Sequence, residues 1–234
     1  MKWLRTLVIF DQGNVVHDND WDKIHQSYVS SIQKIDSEGS GRLILRRKKK
    51  RPDGQWDRNG VGYLRRRFLE HMKIEGWKAE ANFDLGKGRI SPDLLTYPDL
   101  ESYSEEITSK FGGFDFVTSI SEGMHVAIEW ETGNISSSHR SMNKLAIALA
   151  GGKIQAGVLI IPSRELYEHL TDRIGNIGEL SGYLSMWKDL GVNVKRGLLA
   201  ISVVEHDDLT DDPSFPYLEK GHDGRASEGN SKRR

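Results

Sequence analysis

The stretch Gln155-Ala156-Gly157-Val158-Leu159-Ile160-Ile161 is apolar without a break after its first residue and is closed by Pro162-Ser163. It has the length of a strand, and a strand with no polar alternation must be buried on both faces. A chain containing it therefore folds as a layered α/β domain with helices on either side of a sheet. The neighbouring patterns agree. Phe114 to Val117, His125 to Glu131 and Arg196 to Val204 read as further strands. Helices are predicted over 137–150, stopped by Gly151-Gly152, and over 163–170 and 179–190. Upstream, Trp21, Ile24, Tyr28, Ile32 and Ile35 recur at helical spacing within 18–35, and a second helix over 61–75 carries Leu64, Phe68 and Met72. Residues 84–112 are rich in Gly, Ser, Pro and Glu. They predict a surface insertion with at most a short helix between Leu100 and Phe111.

The 234 residues suit one domain, placed at 1–225, with a polar, frayed tail at 226–234. There is no Cys, which excludes disulfide frameworks, thiolate metal sites and cysteine nucleophiles, so any metal must bind oxygen or imidazole. No apolar run reaches the roughly 18 residues that span a bilayer. The run that opens the chain passes straight into Asp11-Gln12-Gly13-Asn14, too polar a flank for a signal peptide. A soluble, cytoplasmic protein without a membrane partner is expected. The glycine pairs lack the spacing of phosphate-cradling loops.

Lys and Arg number 33 against 34 Asp and Glu, so bulk charge advertises no nucleic-acid partner. Local charge differs. Arg46-Arg47-Lys48-Lys49-Lys50-Arg51 is a run of cations, and Arg65-Arg66-Arg67 follows. Such a run is either a solvated loop or an arm that contacts phosphates.

The acidic residues are more informative. In Glu129-x-Glu131, strand alternation puts both carboxylates on one face, about 7 Å apart at Cα. If 114–117 neighbours this strand, Asp115 joins them. Packed carboxylates repel unless one keeps its proton or a cation intervenes. Mg²⁺, which takes oxygen ligands and retains waters, suits the latter case and could activate water against a phosphodiester. The alternative is a polar solvent face. Two residues on, Thr132 to Arg140 sets Gly, Asn and three serines at a helix start, with Ser136 or Ser137 as the N-cap and Asn134, Ser136 and Arg140 displayed together. Asn and Arg can pair bidentately with adenine and guanine edges. The plainer reading is a capped helix with a surface Arg.

The continuous block Glu129-Trp130-Glu131-Thr132-Gly133-Asn134-Ile135-Ser136-Ser137-Ser138-His139-Arg140-Ser141-Met142-Asn143-Lys144 resembles the BamHI family of type II restriction endonucleases. So do Tyr167 to Asn176, Lys220 to Gly224 and, upstream, Asn59-Gly60-Val61. The resemblance implies a mixed central β-sheet flanked by helices, a PD-(D/E)xK-type core in which Glu131 stands where Lys is usual. It implies a homodimer that cuts double-stranded DNA at a palindrome, GGATCC, leaving 5′-phosphate ends, with Mg²⁺ at a two-ion site and Mn²⁺ able to replace it. By the same likeness Asp115, Glu129 and the Trp130 carbonyl bind metal, and Glu131 activates or orients the attacking water. Glu80 matches a further ligand, although 34 residues separate it from Asp115. Asn134, Ser136, Arg140, Asp172 and Arg173 match the base-reading set. Gly221 and Asp223 belong to a C-terminal arm that approaches the minor groove. The helix from Ser137 is implied to form part of the dimer interface; Ala146, Ala148 and Ala150 are small enough for close helix approach and equally suit packing on the sheet. A cognate DNA methyltransferase is the expected partner in the same system. Two other functions compete: a DNA-binding protein that has lost cleavage, and a structure-specific repair nuclease.

Overall fold

The computed structural model describes residues 1–37, 39–81, 94–103, 113–120, 124–131, 133–171 and 174–219. In chain order, β1 (Lys2–Gln12) precedes α1 (Asn19–Gln33). Three short strands follow, β2 (Ile44–Arg46), β3 (Lys49–Lys50) and β4 (Trp56–Asp57), then α2 (Gly62–Ile74) and β5 (Lys78–Ala81). Next come a two-stranded hairpin, β6 (Leu94–Leu95) with β7 (Ser102–Tyr103), and the central elements β8 (Phe114–Ile120), β9 (Met124–Trp130) and α3 (Ile135–Ala150). The last third contains β10 (Ala156–Pro162), α4 (Arg164–Glu168), α5 (Ile177–Leu180), α6 (Leu184–Asp189), β11 (Gly197–Glu205) and β12 (Asp208–Thr210).

Six strands form one mixed sheet in the order β1-β11-β10-β9-β8-β5. β9, β10 and β11 are parallel, while β1, β8 and β5 join antiparallel. All seven residues of β10 are buried, as its unbroken apolar run requires. Its side chains alternate between two cores. Ala156, Val158 and Ile160 meet the α1–α2 layer through Tyr28, Phe68 and Met72, whereas Leu159 and Ile161 meet Met142, Leu145 and Trp187 of the α3–α6 layer. Phe68 sits between Phe116, edge-on at 5.2 Å, and Trp130, stacked at 4.4 Å. α1 is held to the sheet by a buried hydroxyl network in which Thr6 Oγ1, Tyr28 and Ser202 lie within 3.1 Å of one another.

The opening segment is the sheet's edge strand β1, paired with nine-residue β11. Three expectations change. The helix predicted over 179–190 is broken. Asn176 starts α5 early with a capping box, and a 3₁₀ turn at Ser181–Tyr183, centred on Gly182, separates it from α6. The helix predicted from Leu100 is absent where the chain is described: Ser102–Tyr103 is a strand. The cationic run is not a loose loop. β2 pairs with β12 and β3 with β4; Arg47 meets Asp211 at 3.2 Å, Lys48 meets Glu168 at 2.9 Å, and Arg51 meets Asp57 at 2.7 Å. Arg46 lies over the Tyr217 ring. Among the described residues no helix is long and apolar enough to cross a membrane.

Candidate active site

The ladder between β8 and β9 pairs Phe116 with Ile128 and Val117 with Ala127. The next step of that antiparallel register sets Asp115 beside Glu129. Here a side chain replaces a main-chain partner: Asp115 Oδ2 accepts the Trp130 N–H at 2.9 Å. On the other flank β5 pairs Ala79 with Phe116 and Ala81 with Phe114, so Glu80 occupies the ladder position opposite Asp115. The long separation in sequence is taken up between the strands and leaves their register intact. The Glu80 side chain lies outside the described residues. Glu131, one residue past β9, is fixed by its N–H donating to the Ile160 carbonyl at 2.9 Å.

Glu129 and Glu131 are each only 6% exposed, so they do not form a solvent face. Burial first, and then the charge of Asp115, pushes the Glu129 carboxyl up to about 7. Burial also lifts Glu131 to about 7, opposed by the Gly133 N–H, which donates to its Oε1 at 2.6 Å, and by the nearby Ser138 hydroxyl. The other oxygen, Glu131 Oε2, is buried with no hydrogen-bond partner among the described residues. One cation already answers the crowding. Lys144, buried on α3, makes an ion pair with Glu129, donates to the Gly113 carbonyl at 2.7 Å and lies over the Phe114 ring. Arg65 on α2 stands 3.5 Å from Asp115. Sequence reasoning placed Arg65 only within a basic triplet and assigned Lys144 no role. A lysine among the core positions of an amphipathic helix is a signal in itself, since such a charge is rarely buried unpaired.

Among the described residues, no three Asp, Glu or His side chains are grouped closely enough to cage a metal. The donors present still fit a hard divalent ion. Asp115 raises the cost of charging Glu129, one Glu131 oxygen is buried without a hydrogen-bond partner among the described residues, and the lysine paired with Glu129 only partly offsets the crowding.

At the start of α3 the N-cap is Asn134, not Ser136 or Ser137: its Oδ1 accepts the Ser137 N–H at 3.2 Å. The capping oxygen is thereby occupied, and Asn134 is exposed. Ser136 and Arg140 are exposed four residues apart on one helix face. Asp172 and Arg173 lie outside the described residues, but both of their flanks are anchored. Thr171 N–H donates to the Asn59 carbonyl at 2.6 Å, and Ile174 forms a β-bridge with Asn134 itself. Gly221 and Asp223 lie outside the described residues. Ala146 and Ala148, read as interface candidates, are buried in the core beneath α3, where their size suits packing on the sheet. His139 packs edge-on against Tyr183, as a structural histidine would.

The sequence model of the family described as "Restriction endonuclease BamHI" matches residues 1–225. The chain belongs to the BamHI family of restriction endonucleases. This BamHI-family protein is 38% identical over 168 residues to the type II restriction enzyme OkrAI of Oceanobacter kriegii, covering 72% of this chain and 74% of that one. It is 47% identical over 66 residues to the type II restriction enzyme BamHI of Bacillus amyloliquefaciens, 28% and 31% of the two chains. Its fold is similar to that of the restriction endonuclease BglII in complex with a DNA 16-mer. The TM-score is 0.51 at 7% identity, covering 92% of this chain and 88% of the other. By family this BamHI-family enzyme is a site-specific deoxyribonuclease, and its central mixed sheet between helical layers is the restriction-endonuclease-like core.

Proposed function

We propose that the enzyme hydrolyses double-stranded DNA at a palindrome, GGATCC, as a Mg²⁺-dependent homodimer that leaves 5′-phosphate ends. The single observation that carries the catalytic part is the meeting of Asp115 and Glu129 at the splayed end of the β8–β9 ladder, with Glu131 buried beside them. Asp115, Glu129 and the Trp130 carbonyl would hold the ion, with Glu80 from the facing strand. When bound, a divalent ion lowers the pKa of water and balances the negative charge that develops on the phosphodiester. Glu131 has a carboxyl poised near neutrality, and its free Oε2 can accept the proton of the attacking water. The Gly133 N–H on Oε1 fixes the direction in which that oxygen points.

Arg140 and Arg173 suit guanine O6 and N7, Asp172 can accept from cytosine N4, and Asn134 and Ser136 serve the A·T pair. Gly221 and Asp223 would face the minor groove. Tyr183, Met186, Leu190 and, on α3, Ile147 expose apolar surface on one layer, which fits a two-fold contact between copies. We read 1–225 as one domain, Mn²⁺ as a substitute ion, the cell interior as its compartment and a methyltransferase of the same specificity as its partner.

Digestion of plasmids of known sequence, followed by end sequencing, tests the reading. Discrete Mg²⁺-dependent fragments ending within GGATCC are expected. Cuts at another sequence would overturn the site, and discrete cutting by Glu129→Ala would overturn the ion assignment.

A further inference from the structure

Asn59 is fully buried, yet it belongs to neither the sheet nor the carboxylate group. Its hydrogen bonds go to three segments distant in sequence. Its Nδ2 donates to the Arg46 carbonyl at 2.7 Å, at the head of the cationic strap, and to the His169 carbonyl at 3.1 Å. Its main chain forms a bridge with Leu170, giving its N–H to His169 at 2.9 Å and accepting from Thr171 at 2.6 Å. Its Oδ1 accepts from the Leu218 N–H at 3.3 Å, and the adjoining Gly60 N–H returns a bond to the Leu218 carbonyl at 2.9 Å. Both sides of the amide are satisfied. Burying so polar a group costs stability unless every bond is made, and a fully bonded one fixes geometry.

The three segments share one property under the proposed function, on which this inference rests. Thr171 immediately precedes the base-reading pair Asp172-Arg173, Leu218 leads into the C-terminal arm, and Arg46 opens the cationic strap. We infer that Asn59 is a specificity-positioning residue that holds Thr171, Leu218 and Arg46, the described residues that border the reading pair, the C-terminal arm and the cationic strap, in one fixed relation. It touches no base. It acts through Thr171 and Leu218.

Simple fold support predicts a different outcome from positioning. Loss of support lowers the amount of folded enzyme and leaves the discrimination of the remaining fraction unchanged. Loss of positioning lowers discrimination itself. The test compares cleavage of the mapped site with cleavage of sites altered at one base pair, per folded molecule, in wild type, Asn59→Ala and Asn59→Asp. The Asp variant keeps the volume and one acceptor but removes both Nδ2 bonds, so it carries the comparison should the Ala variant fail to melt cooperatively. The ratio of cognate to altered-site kcat/KM is expected to fall at least tenfold in folded variants, while the rise in Tm produced by divalent ions stays as in wild type. A ratio within twofold of wild type overturns the proposal. Hydrogen exchange on the wild-type enzyme supplies a check without any variant: slow exchange of the Thr171 and Leu218 amides without DNA is expected, and rapid exchange there overturns the clamp. Arg173→Ala separates the two levels. If it retains full discrimination, the base-reading assignment fails. If it loses discrimination while the Asn59 variants do not, only the positioning role fails.

Discussion

Glu129 and Glu205 lie at the C-terminal ends of two parallel strands inside the sheet, β9 and β11, and are almost equally buried. Their surroundings are opposite. Burial alone would raise Glu205, but hydrogen bonds from His206 and from the Ser163 hydroxyl outweigh it and hold the carboxyl below its usual range. Glu129 faces another carboxylate, and a single lysine only partly offsets the crowding. A buried acid with all its partners is a fastener. A buried acid whose charge is left costly is available for work, because whatever neutralises it binds there.

That contrast breaks most sharply by paired substitution. Glu129→Gln should reduce cleavage about a thousandfold or more, the scale of losing one electrostatic contact to developing charge. Glu205→Gln should keep cleavage near wild type per folded molecule, while losing charge-assisted bonds of about 2–3 kcal/mol and several degrees of Tm. Equal effects on cleavage would erase the distinction.

Acid and base sharpen it further. The folded pKa of Glu129 is raised, so protonation favours the fold. That contribution is complete below about 4.5 and is lost as pH rises through about 7. In metal-free protein Glu129 should therefore cost on the order of 3 kcal/mol more at pH 8 than at pH 5. Denaturant melts of Glu129→Gln should show a correspondingly flatter profile over this range, and divalent ions should stabilise the wild type more at the higher pH.

Lys144→Met removes the cation from the pair and should destabilise metal-free protein at pH 8 by about 3 kcal/mol, less at pH 5, where Glu129 takes a proton instead. A loss of the same size at both pH values would mean that Lys144 contributes packing alone. The smallest effect concerns Gly133. A Cβ there would stand 2.9 Å from Ser137 Cβ and 3.2 Å from Glu131 Oε1, so Gly133→Ala should displace Glu131 and slow cleavage about tenfold with little change in Tm. Unchanged turnover would show that Glu131 tolerates the shift.

Much of this was legible in the residues. The apolar run of β10 and the three-and-four spacing of α1 carry their own structural period, so their type follows from local pattern. Glu129 and Asp115 could be brought together only by assuming that their strands were neighbours, an assumption the register supports. β1 is not legible in the residues because an edge strand with irregular pairing near Arg5 and Val8 shows weak alternation. The 179–190 helix misled because its apolar positions persist across Gly182 while its backbone does not. Lys144 and Asn59 were both visible inside matching blocks, but their importance lies in partners far along the chain, which spacing does not reveal.

The β8–β9 register has a practical meaning for anyone altering this enzyme. Asp115 faces Glu129 because Phe116 and Ile128, one residue away on each strand, are committed to the interior. Moving either strand by one position turns every side chain over and sends the acids to opposite sides. Side chains at the DNA surface can be exchanged one at a time, but an insertion or deletion within these strands rewrites the whole site at once. Libraries aimed at new cutting properties should therefore hold the spacing of this hairpin constant and vary only what it presents.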